Sequence, residues 1–229
     1  MDFSQHFKGR LIVSCQALED EPLRGSGIMA RMALAAQMGG AVGIRANSPD
    51  DIREIKATVK LPIIGLWKIK EKDSEVYITP NLLAAQAVAE AGADIIALDA
   101  TFRRNAAGRW AWELIQSVKS RLGVPVMADV STVEEGLNAE GQGADFVTTA
   151  LSGYTSYSCQ SRGPDLMLVE QLSRQVIIPV LAEGRYWTVE EAGRALELGA
   201  HSVVIGSAIT RPQEITKRFA DGLRDGRVS

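Results

Sequence analysis

Leu82-Leu83-Ala84-Ala85-Gln86-Ala87-Val88-Ala89-Glu90-Ala91-Gly92-Ala93-Asp94-Ile95-Ile96-Ala97-Leu98-Asp99 reads as a helix, a Gly-Ala step and a short apolar strand in immediate succession. The same step recurs at Gly40-Ala41, Gly143-Ala144 and Gly199-Ala200, at intervals of 52, 51 and 56 residues. In an α/β chain, about 50 residues hold two strand–helix units, so four such quarters predict eight units. Glycine suits the end of a helix, where the chain needs a positive φ before it can turn into the next strand. Eight units favour a closed (β/α)₈ barrel over an open doubly wound sheet, with residues 1–229 as one domain.

The remaining strands fall between these marks. The full set is Leu11–Cys15, Val42–Ala46, Pro62–Leu66, Ile95–Asp99, Pro125–Asp129, Phe146–Ala150, Ile178–Ala182 and Ser202–Gly206. Each is a nearly continuous apolar run, as parallel strands buried on both faces require. Pro62, Pro125 and Pro179 stand at strand starts, where no ladder donor is needed. Amphipathic stretches lie between, among them Asp50–Val59, Leu82–Ala91, Trp110–Leu122, Val133–Gln142, Leu166–Arg174, Val189–Leu198 and Glu214–Leu223. Ser48, Thr132 and Thr188 are positioned as helix N-caps, and Pro49 suits a first helical turn. Ile69–Pro80 is a longer, polar connection after strand three, on the face where a barrel keeps its site. Asp221–Ser229, after the last helix, is expected to fray.

Composition narrows the function. The chain has 229 residues, 46% of them hydrophobic, and a net charge of −3, which offers no basic footprint for nucleic acid. No apolar run approaches the roughly 18 residues that span a membrane. The N-terminus lacks the pattern of a signal peptide, and two cysteines, Cys15 and Cys159, make no disulfide framework; both point to the cytoplasm. His6 and His201 lie away from strand ends, which argues against a histidine mechanism or a metal site. The tryptophans and methionines fall mostly within the helical stretches, where core packing accounts for them. No glycine-rich dinucleotide or P-loop signature occurs in strand-to-helix context.

In a barrel, polar residues at the C-terminal strand ends face one shared cavity. Here these are Gln16, Arg45, Lys68, Asp99, Asp129, Thr149 with Ser152, Glu183, and Gly206-Ser207. Asp99 serves equally well as an ion-pair partner or a cap. Gly184-Arg185 after strand seven and Gly206-Ser207 after strand eight, with Arg211 beyond, occupy the loops where barrels bind phosphate. Arg211 or Arg185 could add a guanidinium fork. A lysine and a carboxylate across a cavity suit proton transfer at carbon next to a carbonyl. A lysine also serves for a Schiff base, as in aldolases, and strand-end position does not separate the two. A phosphosugar sensor without catalysis is a third reading, against which the paired lysine and glutamate speak.

Several stretches together carry a family resemblance. They are Leu11-Ile12-Val13-Ser14-Cys15-Gln16-Ala17, Gly43-Ile44-Arg45-Ala46-Asn47, Ile64-Gly65-Leu66-Trp67-Lys68 and Asp73-Ser74-Glu75-Val76-Tyr77-Ile78-Thr79-Pro80. Ala93–Thr101, Leu151-Ser152-Gly153-Tyr154-Thr155, Ala182–Tyr186 and Gly206–Pro212 complete them. From Gly9 to about Pro212 the chain resembles the N-acetylmannosamine-6-phosphate 2-epimerases of bacterial sialic acid catabolism. The resemblance implies a cofactor-free C2 epimerase acting on an N-acetylated hexosamine 6-phosphate. It implies Lys68 and Glu183 as the acid–base pair, and Gln16, Arg45, Asp129 and Ser152 on the sugar. The Gly184-Arg185 and Gly206-Ser207 backbone, with Arg211, would hold the phosphate. It further implies a homodimer formed through the C-terminal helix. Lys68-Ile69-Lys70 departs from the family's usual Lys-Arg pair, and the spacing from Gly65 assigns the role to Lys68. Trp67 stands where the family often has an aliphatic residue.

Overall fold

The computed structural model describes residues 1–224 and closes eight parallel strands into a barrel in chain order. The first half runs α1 (Phe3–Phe7), β1 (Leu11–Cys15), α2 (Ser26–Met38), β2 (Gly43–Asn47), α3 (Pro49–Thr58), β3 (Ile63–Leu66), α4 (Leu82–Glu90) and β4 (Ile95–Asp99). The second runs α5 (Leu114–Leu122), β5 (Val126–Asp129), α6 (Val133–Gly141), β6 (Phe146–Thr148), α7 (Leu166–Gln175), β7 (Val180–Glu183), α8 (Val189–Glu197), β8 (Ser202–Ile205), α9 (Ser207–Thr210) and α10 (Pro212–Arg224). Leu11 pairs with Val203 and Ile12 with Val204, which closes the ring.

The four Gly-Ala steps are four copies of one helix stop. Gly40, Gly92, Gly143 and Gly199 have φ of 97°, 101°, 90° and 104°. At each, the glycine N–H donates three residues back and the alanine N–H five residues back, as in Ala93 N to Val88 O and Ala144 N to Ala139 O. That double bond pattern satisfies carbonyls a helix otherwise leaves open. Helix starts are equally local. Thr132 and Thr188 form reciprocal capping boxes with Glu135 and Glu191, and Ser48 accepts from the Asp51 amide with Pro49 in the first turn.

Alternation along the strands sorts the side chains. Ile12, Ile64, Ile95, Met127, Phe146, Leu181 and Val204 form one buried cluster inside the barrel. Val13, Ile44, Ile63, Ile96, Val126, Val147 and Val180 form the larger layer beneath the helices. Phe7 of α1 plugs the N-terminal end, 6.2 Å from the Phe146 ring. Gly43 makes room for it, since a Cβ there would lie 2.9 Å from the Phe7 ring. His6 and His201 belong to this closed end, with ring nitrogens 2.7 Å from the Val42 and Ser4 carbonyl oxygens. The other end of the barrel is left to polar side chains.

Two expectations are corrected. Asp221–Arg224 continue α10 rather than fraying; residues 225–229 lie outside the described part. The tryptophans are mostly not in helices: Trp67, Trp110 and Trp187 stand in connections, and Trp112 is in the 3₁₀ turn Ala111–Glu113 that precedes α5. Among the described residues no helix is long and apolar enough to cross a membrane.

Candidate active site

The residues that follow the inward apolar positions converge at the C-terminal mouth. Continuing each alternation upward gives Ser14 on β1 and Gln16 just after it, Arg45 and Asn47 on β2, Lys68 after β3, Asp129 on β5, Thr148 on β6 and Glu183 on β7. Strand register sets their height: Ser14 lies beside Arg45, and Asp99, Asp129 and Thr148 stand in one row. The cavity above them measures about 2150 Å³. That exceeds the roughly 300–1,000 Å³ of common small-molecule sites, because the space continues as a groove under the loops after β1, β2 and β3.

Arg45 organises the floor. Its guanidinium forks onto Asp129, with Nη1 donating to Oδ1 at 3.0 Å and Nη2 to Oδ2. Nη1 also donates to Glu183 Oε2 at 2.7 Å. Thr148 Oγ1 donates to the same carboxylate oxygen at 3.3 Å. Burial opposes the charge on Arg45, but Asp129 and Glu183 together outweigh it and hold the guanidinium charged. Burial also pushes both carboxylates up, against the opposing pull of Arg45.

Lys68 stands on the opposite wall, since β3 and β7 lie four strands apart in an eight-stranded ring. Its backbone is pinned: its amide donates to Asn47 Oδ1 at 2.8 Å, and the Ile69 amide to the Tyr77 carbonyl at 2.9 Å. The connection after β3 thus folds back on itself and brings Tyr77 to the cavity wall. Lys68 makes no side-chain hydrogen bond or ion pair among the described residues. Burial lowers its pKa, and the Arg45 and Arg211 charges lower it further, to about 8. Lys68, Arg45, Asp129 and Glu183 sum to zero charge when all are ionised. Removing the lysine proton leaves one excess negative charge, and a carboxylate already pushed up by burial can accept a proton.

Gln16 donates through Nε2 to Ser14 Oγ at 2.8 Å, while its buried Oε1 has no partner among the described residues. An unsatisfied buried acceptor at a cavity wall is a place for a ligand hydroxyl or N–H. Gly184, Arg185, Gly206, Ser207 and Arg211 line the side of the cavity next to β7 and β8. Gly206 packs so closely on Ser14 that a Cβ would lie 3.2 Å from its Cβ.

Three expectations change in detail. Ser152 is not on the cavity wall: its hydroxyl donates to Asp165 at 2.6 Å, and Asp165 caps α7. The Arg185 side chain is spent on the loop after β6, donating to the Gly163 carbonyl at 2.8 Å and the Ser152 carbonyl at 2.6 Å. Its backbone sits at φ 62°. Asp99 is committed to Thr101 and Arg103, with an ion pair of 2.5 Å to Arg103. Lys70 is exposed at the cavity rim. Asn47, Tyr77 and Thr148 were not anticipated. Strand parity alone nominates Asn47 and Thr148.

Comparison with known proteins points one way. Residues 29–225 match the family model described as "Putative N-acetylmannosamine-6-phosphate epimerase". A curated protein of Caldanaerobacter subterraneus, named "Putative N-acetylmannosamine-6-phosphate 2-epimerase", is 51% identical over 230 residues, covering 100% of this chain and 97% of its own. One of the same name from Clostridium perfringens is 54% identical over 217 residues, covering 95% and 98%. The solved structure of the N-acetylmannosamine-6-phosphate 2-epimerase from Clostridium perfringens superposes with a TM-score of 0.93 at 51% identity, covering 96% of each chain. A thiamine phosphate pyrophosphorylase from Pyrococcus furiosus, at 19% identity and a TM-score of 0.61, shares the fold alone.

Proposed function

The chain belongs to the N-acetylmannosamine-6-phosphate epimerase family, and from that premise we propose that it interconverts N-acetylmannosamine 6-phosphate and N-acetylglucosamine 6-phosphate by proton transfer at C2. The observation that carries the mechanism is the Lys68 amine, without a hydrogen-bond or ion-pair partner among the described residues and with its pKa lowered to about 8, facing Glu183 across the cavity. The two sugars differ only in the hand of C2. Inversion therefore needs a proton taken from one face and one returned to the other. In the open-chain aldehyde the charge left at C2 spreads onto O1, so the sugar supplies its own electron sink and no cofactor is required. Lys68 and Glu183 on opposed walls form the acid–base pair. Arg45, anchored by Asp129, is the fixed cation for developing negative charge. Gln16 contacts the sugar, and Gly184, Arg185, Gly206 and Ser207 offer backbone amides to the phosphate, with Arg211 as its cation.

A positioned acid or base contributes about 10²–10⁴-fold, so Lys68→Ala and Glu183→Ala are each expected to lose at least about 10²-fold in kcat. Lys70→Ala is expected to stay near wild type. Near-normal turnover in Lys68→Ala would overturn the assignment.

We also propose that two copies pair by exchanging α10. This helix has no buried residue of its own, although Ile215, Phe219 and Leu223 fall on one face. It packs on α9, and Arg218 lies over the Trp187 ring at 5.0 Å. Meanwhile an apolar groove of about 480 Å³ lies open where an eighth barrel helix normally packs, walled by Leu11, Val189, Leu196, Val203, Ile205 and Ile209. The apolar face of the partner's α10 is its occupant. The buried, inert Cys15 and the free exposed Cys159 suit the cytoplasm.

A further inference from the structure

We propose that Glu21, in the connection between β1 and α2, is a positioning residue that aims Arg211 at the substrate phosphate. This rests on the reading of Arg211 as the phosphate cation. Glu21 Oε1 pairs with Arg211 Nε at 3.1 Å, with both side chains mostly covered, at 16% and 25% exposure. The contact is to the inner edge of the guanidinium. Nη1 and Nη2, the two groups that make a forked phosphate contact, have no hydrogen bond among the described residues. Arg211 belongs to the cavity wall and Glu21 does not, so the carboxylate holds the arginine from behind.

Glu21 is itself held. Its Oε2 accepts from the Leu18 amide at 2.9 Å, and its backbone N–H donates to the Leu18 carbonyl at 3.1 Å. The Arg24 amide in turn donates to the Glu21 carbonyl at 3.1 Å. A connection without helix or strand thus gains a rigid anchor, and the anchor ties the loop after β1 to the segment after β8. A free arginine loses rotamer freedom when it clamps an anion; one already fixed loses less. The negative charge of Glu21 works in the other direction, by repelling a phosphate. The sign of the effect of its removal therefore decides between the two.

The test is steady-state kinetics and inhibition by inorganic phosphate on Glu21→Ala, Arg211→Ala and the double variant. Positioning predicts that Glu21→Ala raises both KM for the sugar phosphate and the phosphate inhibition constant by about 5- to 20-fold, with kcat within about twofold, as expected when only binding is weakened. It further predicts that Glu21→Ala adds nothing in the Arg211→Ala background, because the two act as one unit. Glu21→Gln, which keeps one acceptor, should fall between wild type and alanine. A fall in KM, no change in KM, or an undiminished effect in the Arg211→Ala background would overturn the proposal. If Arg211→Ala itself leaves KM unchanged, the phosphate reading on which it rests fails too.

Discussion

Lys68 carries the clearest consequence at the scale of a residue. An amine removes the C2 proton only when neutral. Burial and the charges of Arg45 and Arg211 bring its pKa from 10.5 down to about 8. The acid limb of kcat/KM, which reports the free enzyme, is therefore expected to rise with pH and level off above about 8. A limb lying near an ordinary lysine's pKa would mean that Lys68 is not the titrating base. Lys68, Glu183, Arg45 and Asp129 were legible in sequence because each directly follows a buried apolar run, where strand geometry leaves little choice of direction. Asp99 satisfies the same rule, and Ser152 follows in the loop beyond β6, yet both serve other ends: Ser152 bonds Asp165, and Asp99 bonds Thr101 and Arg103. A side chain's partner depends on the path of loops that no strand period encodes. Thr148 escaped notice because β6 ends there rather than at Ala150, and a slip of one residue exchanges inside for outside.

At the scale of an element, the Gly-Ala steps were legible because a left-handed residue between a helix and a strand leaves glycine little competition. Gly92, at φ 101°, makes the point testable. Its replacement by alanine forces a side chain into the left-handed region at a cost of about 1–2 kcal/mol. For a chain of this size each kcal/mol lowers Tm by about 2–4 °C. Gly141→Ala is the matched control, since Gly141 ends α6 at a negative φ with open space where a Cβ would go. Thermal melts should show Gly92→Ala lowered and Gly141→Ala at or slightly above wild type; equal melts would remove the conformational account. The first turn of the expected Trp110–Leu122 helix is a 3₁₀ turn after a loop in which Arg104 stacks on Trp110 at 3.8 Å. Helical spacing alone does not distinguish those two geometries.

At the scale of the whole molecule, the barrel and its polar mouth follow from the repeat, whereas the position of α10 does not. Its amphipathic pattern promises an apolar face in contact with something, and only the folded chain shows that face unburied and a groove open at the β8–β1 seam. Exchange of α10 predicts a dimer of about twice the 24.7 kDa chain mass. Phe219→Glu combined with Leu223→Glu should give a monomer by light scattering. A wild-type monomer, or a dimer that survives both charges, would count against the exchange. Proton transfer at C2 leaves its own signature in isotope exchange. The protein is incubated in D₂O with N-acetylglucosamine 6-phosphate and the sugar is followed by NMR. Deuterium at C2 together with the appearance of N-acetylmannosamine 6-phosphate is expected; folded protein that yields neither would rule out proton transfer at C2.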